Sequence, residues 1–222
     1  MKPGVEEPEN PRRRTLSTRR LEAFSDGVLA IAITLLVLDI SVRPPGGLTD
    51  LLREWPALLG YVVSFVTIGA VWLAHTTLTE VLSRTDQILL RLNLLLLLAV
   101  AFLPFPTRMV ADSLSLTATG PERVAVTLYG LVLLAVRILL AALFAYASRE
   151  QLLVERLAGP DSEAVAAARR KNLPAILAYA ATVLVGLLLP VVAVAVYFGI
   201  AIFVVTPFRQ VASLLRHPRI AR

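Results

Sequence analysis

Arg20-Leu21-Glu22-Ala23-Phe24-Ser25-Asp26-Gly27 runs without a break into Val28-Leu29-Ala30-Ile31-Ala32-Ile33-Thr34-Leu35-Leu36-Val37-Leu38. An arginine and an aspartate stand at the mouth of a segment greasy enough to cross a bilayer. Charge inside hydrocarbon is expensive, so such residues face protein partners or a water path. A span that begins this way reads as part of a conduction or transport unit, not as a passive anchor.

The rest of the chain has the same character. Of 222 residues, 57% are hydrophobic, and mean hydropathy is +0.73. A soluble domain averages about 45–50% apolar. The excess lies in blocks of roughly 17–25 residues, the length that crosses a ~30 Å hydrocarbon core. The chain therefore reads as an all-α integral membrane protein. The blocks are continuous, which excludes the alternating short strands of a membrane barrel.

Composition also removes function classes. There is no cysteine, hence no disulfide, iron–sulfur centre or thiolate metal site. The two histidines, His75 and His217, lie in different segments, which argues against a histidine metal centre within one subunit. No nucleophile–base pair, metal-ligand spacing or phosphate loop is visible, so no enzyme and no cofactor is expected. The net charge of +6 reads as topology-setting arginines on loops, not as a nucleic-acid surface. Arg19-Arg20 precedes an apolar run, but Asp26 interrupts that run and no small-x-small cleavage site follows, so it is not read as an export signal.

Six spans are expected, at about 23–41, 57–79, 88–107, 123–147, 173–189 and 191–207. The segment 1–22, rich in Pro, Glu and Arg, reads as a disordered basic tail. Residues 23–208 form the membrane domain, and 209–222 a basic C-terminal tail. The third span should end at Pro104-Phe105-Pro106. A loop is expected from Ser148 to Asn172; Glu163 and Lys171 lie in a helical-looking segment of it and read as solvated charge. The last apolar block, Leu173 to Phe208, is 36 residues long. A single helix of that length would measure ~54 Å, too long for the bilayer. Pro190 near its middle splits it into two spans with a very tight turn; a kinked single helix is the alternative.

Positive charge orients the spans. With the N-terminus in the cytoplasm, seventeen Lys and Arg fall on inner segments and four (Arg43, Arg53, Arg108, Arg123) on outer ones. That bias supports six spans with both termini cytoplasmic. Arg137 falls inside the fourth span, where a lateral salt bridge or snorkelling is expected. Asp39 stands near the outer mouth, either concentrating cations or meeting Arg43 at the helix end.

Helical residues advance 100°, so Ile31, Thr34, Leu35 and Leu38 share one face. By itself such a stripe reads as ordinary packing, with Thr34 bonded to a carbonyl or a neighbouring helix. Asp26 lies about 140° from Ile31 and should point sideways into protein. Trp72 and His75 come late in the second span, and Asn93 early in the third. Under this topology they lie at the same depth as Arg20, Ser25 and Asp26. A hydrogen-bonded cluster near the inner face is one reading; independent snorkelling is the other.

Taken together these residues resemble the transmembrane protein 175 family of potassium channels, in its single-repeat prokaryotic form. The Arg-x-x-x-Phe-Ser-Asp signature of that family is matched by Arg20, Phe24, Ser25 and Asp26. Its Trp-x-x-His is matched by Trp72 and His75, its third-helix asparagine by Asn93, and its Pro-Phe-Pro-like end by residues 104–106. The resemblance runs from about 20 to 108. It implies six helices per subunit and a homotetramer in the bacterial cell membrane, with the first helix of each copy lining a central pore. Animal members carry two repeats and pair as dimers; this chain has room for one repeat, so four copies are implied. The resemblance makes Ile31, Leu35 and Leu38 the hydrophobic pore residues and Thr34 a hydroxyl position linked to potassium preference. It makes Arg20, Phe24, Ser25, Asp26 and His75 a structural network that holds the pore helix, to which Trp72 and Asn93 are joined by depth.

Physics is consistent with those roles. A narrow apolar tube sheds water and gates by dewetting. Few oxygens replace the hydration shell, so preference for potassium over sodium should be weak, and a ring of Thr34 hydroxyls would sharpen it. The permeant potassium ion and the lipid bilayer are the implied partners. The competing reading is a secondary transporter or proton-coupled carrier, which would need broken helices and an ionisable site at the bilayer midplane.

Overall fold

The computed structural model describes residues 17–40, 47–114, 120–154 and 163–205. Both tails, apart from Ser17 to Glu22, and Arg43 with its proposed contact lie outside the described residues. The elements are α1 (Thr18–Leu35), which tightens into a 3-10 turn over Leu36–Asp39, then α2 (Leu48–Arg53), α3 (Trp55–Thr79), α4 (Gln87–Ala101), α5 (Pro104–Leu114), α6 (Pro121–Arg149), α7 (Glu163–Leu188) and α8 (Pro190–Val205). Thr18–Leu38, Trp55–Thr79, Gln87–Ser113 and Pro121–Arg149 are long and apolar enough to cross a membrane. Asn172–Leu188 and Pro190–Ile200 are shorter apolar helical runs.

α1 begins at Thr18, inside the segment expected to be a disordered tail. Its buried residues are Leu21, Ser25, Leu29 and Ala32, continued by Leu36 in the following turn. These spacings of three and four residues place them on one face. That face packs on α3 and α4.

α4 starts where Asp86 caps it, its carboxylate accepting from the Leu89 amide at 2.8 Å. This satisfies one of the amides a helix start leaves free. Pro104 cannot donate an amide hydrogen and crowds the preceding turn, so α4 closes at Ala101. The path does not stop there, as the sequence had suggested. Leu103 and Phe105 bond three residues back, to Val100 and Phe102, and α5 carries the helix on to Leu114. Proline is tolerated in the first turn of a helix, which is why Pro104 and Pro106 begin α5 instead of ending the span.

α6 is the longest helix, at 29 residues, and packs on α4, α5 and α7. It ends in a Schellman turn: Gln151 takes a positive φ of 53°, and the Leu152 amide reaches back to the Ala147 carbonyl at 3.0 Å. Glycine usually holds this position. The chain then pairs with the α3–α4 connection through an isolated bridge between Leu82 and Leu153. Ser83 strengthens that pairing, its amide and hydroxyl donating to the Leu152 carbonyl at 2.8 Å and 2.9 Å.

The expected loop from Ser148 to Asn172 is shorter than thought. α6 runs to Arg149, and α7 begins at Glu163, so Glu163 and Lys171 belong to a helix. The Ala-rich 163–168 segment is a strong helix former without being apolar enough to read as a span. The final block is two helices divided at Leu189, not one kinked rod. α7 and α8 pack on each other, and α8 also packs on α3. Gly130 of α6 makes room for this: a Cβ there would fall 1.9 Å from the Tyr197 Oη of α8.

Candidate pore-lining helix and its anchors

Among the described residues, the face of α1 opposite its buried stripe has no partner. Phe24, Gly27, Ile31, Thr34 and Leu38 succeed one another at three- and four-residue steps, and all are exposed. Ile31 is 60% exposed, Leu35 43% and Leu38 72%. In a membrane protein this face meets lipid or another copy. Thr34 donates its hydroxyl to the Ile31 carbonyl at 2.9 Å. Its donor is satisfied within the helix, so its oxygen lone pairs remain available outward.

The buried face is tied by a directional hydrogen-bond chain. His75 Nε2 of α3 lies 2.8 Å from Asn93 Oδ1 of α4. Asn93 Nδ2 donates to Ser25 Oγ of α1 at 2.9 Å, and Ser25 donates to the Leu21 carbonyl at 2.8 Å. Because Asn93 presents its carbonyl oxygen to the ring, His75 Nε2 carries the hydrogen. Each group donates to the next, and the chain ends on backbone. His75, Asn93 and Ser25 are all buried, so loss of one link strands the others.

Asp26 points sideways to α3, where it accepts from Trp72 Nε1 at 2.9 Å. This bond lies on the exposed surface and is separate from the buried chain. Arg20 and Phe24 are exposed and lie outside both sets of contacts. The structure thus brings Ser25, His75 and Asn93 into one chain, and Asp26 and Trp72 into another.

Three further polar anchors join the helices; of their residues only Arg137, a charge within a span, stood out in the sequence. Ser64 of α3 lies 2.7 Å from Thr107 of α5 and 3.4 Å from the Tyr129 hydroxyl of α6. They border a cavity of about 20 Å³, room for roughly one water. Tyr146 donates to the second oxygen of the capping Asp86 at 2.5 Å. Arg137 donates to Asn172 Oδ1 of α7 at 2.6 Å, so this partner is an amide and not the carboxylate of the expected salt bridge. Among the described residues no group of His, Asp and Glu is placed to hold a metal.

An apolar helix with one face locked to its neighbours and the other left open, within an all-helical bundle of membrane-spanning length, is the geometry of an integral membrane protein. Residues 20–104 match the family described as endosomal/lysosomal potassium channel TMEM175. A potassium channel of Streptomyces collinus is 45% identical over 134 residues, 59% of this chain and 64% of that protein, just under two thirds of its length. One from Chamaesiphon minutus is 37% identical over 169 residues, 72% of this chain and 79% of that protein. The crystal structure of a lysosomal potassium-selective channel TMEM175 homolog from Chamaesiphon minutus superimposes with a TM-score of 0.74 at 32% identity, over 85% of this chain and 96% of that one. The Gallus gallus relative, an endosomal/lysosomal proton channel, is 38% identical over 109 residues, 44% of this chain but only 22% of that protein. The chain belongs to the TMEM175 family.

Proposed function

We propose that this chain is one subunit of a potassium-permeable cation channel of the cell membrane, with four copies around a pore walled by α1. Each copy crosses the bilayer six times with both termini in the cytoplasm, a topology that the bias of positive charge supports. Ile31, Leu35 and Leu38 form the apolar constriction, which gates by dewetting. Thr34 supplies a ring of oxygens, and potassium passes over sodium with weak preference. Ser25, His75 and Asn93, with Asp26 and Trp72, hold the pore helix at its inner end; Arg20 and Phe24 complete this set at the inner mouth.

The observation that carries this reading is the asymmetry of α1. One face is fixed by buried bonds to two helices. The other presents Ile31, Thr34 and Leu38, which have no partner among the described residues of their own subunit. The relatives named potassium channels supply the ion. Weighing against a carrier, the buried polar chain joins helix ends and not a broken helix at the midplane.

The test is single-channel recording in bilayers under potassium, sodium and proton gradients. Discrete passive potassium steps are expected, and Ile31→Asn should raise conductance severalfold while lowering the potassium-to-sodium permeability ratio. Saturating, coupled flux without steps would establish a carrier. Unchanged current and selectivity in Ile31→Asn would remove Ile31 from the pore wall. A reversal potential that follows protons alone would transfer the proton activity named for the chicken relative to this chain.

A further inference from the structure

We propose that the outer face between α4 and α6 seats one acyl chain of an anionic phospholipid, with Arg91 holding its phosphate. An open groove of about 580 Å³ runs between these helices. Leu95, Leu98 and Phe102 form one wall and Leu131, Ala135 and Leu139 the other. Leu98 is 67% exposed, and none of these six side chains is polar. Such a groove accepts a hydrocarbon chain and offers nothing to a head group.

The head group is specified one turn further along. Arg91, Leu95, Leu98 and Phe102 follow one another by four, three and four residues, so they project within about 60° of one another. Arg91 is exposed, and positions 87, 88, 94 and 95 carry no acid. Asp86, the nearest acid in sequence, already accepts from Leu89 and Tyr146. From Arg91 to Phe102 the helix rises ~16 Å, about half of a ~30 Å hydrocarbon core. The groove and its cation therefore have the length and polarity of one lipid in one leaflet, the cytoplasmic leaflet in the topology proposed above. A guanidinium pairs with phosphate in two-point geometry.

The full-length protein is purified in detergent and its thermal midpoint measured with added phosphatidylglycerol or phosphatidylcholine of identical chains. Phosphatidylglycerol should raise the midpoint by roughly 5 °C more than phosphatidylcholine. Arg91→Gln should abolish that difference, and Arg84→Gln, at an exposed arginine of the preceding loop, should keep it. Equal stabilisation by the two lipids, or a difference that survives Arg91→Gln, overturns the proposal. Loss in Arg84→Gln as well assigns the effect to general charge and overturns it too. A second measurement uses the cysteine-free background: Leu98→Cys should form no disulfide between copies on oxidation in dilute vesicles. Disulfide-linked oligomers would show that a second copy covers the groove instead.

Discussion

Asn93 is the residue on which the inner end of α1 depends. It is the only link in its chain that both accepts and donates between different helices. Asn93→Ala leaves the His75 Nε2 hydrogen without an acceptor and takes from Ser25 its incoming donor. Stranding a buried polar group costs about 1–3 kcal/mol. The expected result is a thermal midpoint lowered by about 2–8 °C in detergent, read by differential scanning fluorimetry. An unchanged midpoint would mean the chain is not an anchor. At this scale the sequence was partly legible. Helical depth grouped Ser25, Asp26, His75 and Asn93, because each sits at a similar distance from a span end. It could not say that Trp72 takes Asp26 while Asn93 takes His75, since partner choice depends on how α1, α3 and α4 are rotated about their axes. Ser64, Thr107 and Tyr129 escaped notice for a related reason. Hydroxyls are common in membrane helices, where they bond their own backbone, and nothing in their spacing marks an interhelical contact.

Helices were the most legible feature, and their breaks the least. Apolar length located the four long helical runs to within a few residues, except at the start of the first and the end of the third. Prolines were harder to read, because their effect depends on which side of them the helix lies. Pro190 separates two helices, whereas Pro104 starts one, and Pro174 sits inside α7. The contact of α6 with α8 rests on the smallness of Gly130. A Cβ at that position would meet Tyr197 Oη at 1.9 Å, Tyr197 Cζ at 2.7 Å and Val183 Cγ2 at 2.9 Å. Tyr197 is fully buried, packed edge-on to Tyr129 with ring centroids 5.7 Å apart, so it has little freedom to yield. Gly130→Ala should therefore destabilise by about 1–3 kcal/mol despite the better helix propensity of alanine. Chemical unfolding in mixed micelles measures this, with Gly199→Ala, where a Cβ would meet open space, as the variant expected to be neutral or stabilising.

In the proposed tetramer, one copy of the molecule is an incomplete object. The open stripe on α1 is apolar and faces away from its own bundle. The proposed tetramer brings four such stripes together, and Leu38 from neighbouring copies should then lie close. Leu38→Cys in this cysteine-free chain is expected to form disulfide-linked dimers on oxidation in membranes, while Leu98→Cys is not. Failure of Leu38→Cys to link, with Leu98→Cys linking readily, would place α1 at the periphery and remove the pore. Apolar block length, helical period and the distribution of arginine are local properties, so the amino-acid sequence by itself determined the membrane class, the main helices and the stripe of α1. Which side of α1 is locked and which left open was decided only by tertiary packing. The two faces are both largely apolar, and only the buried chain from His75 through Asn93 to Ser25 distinguishes them.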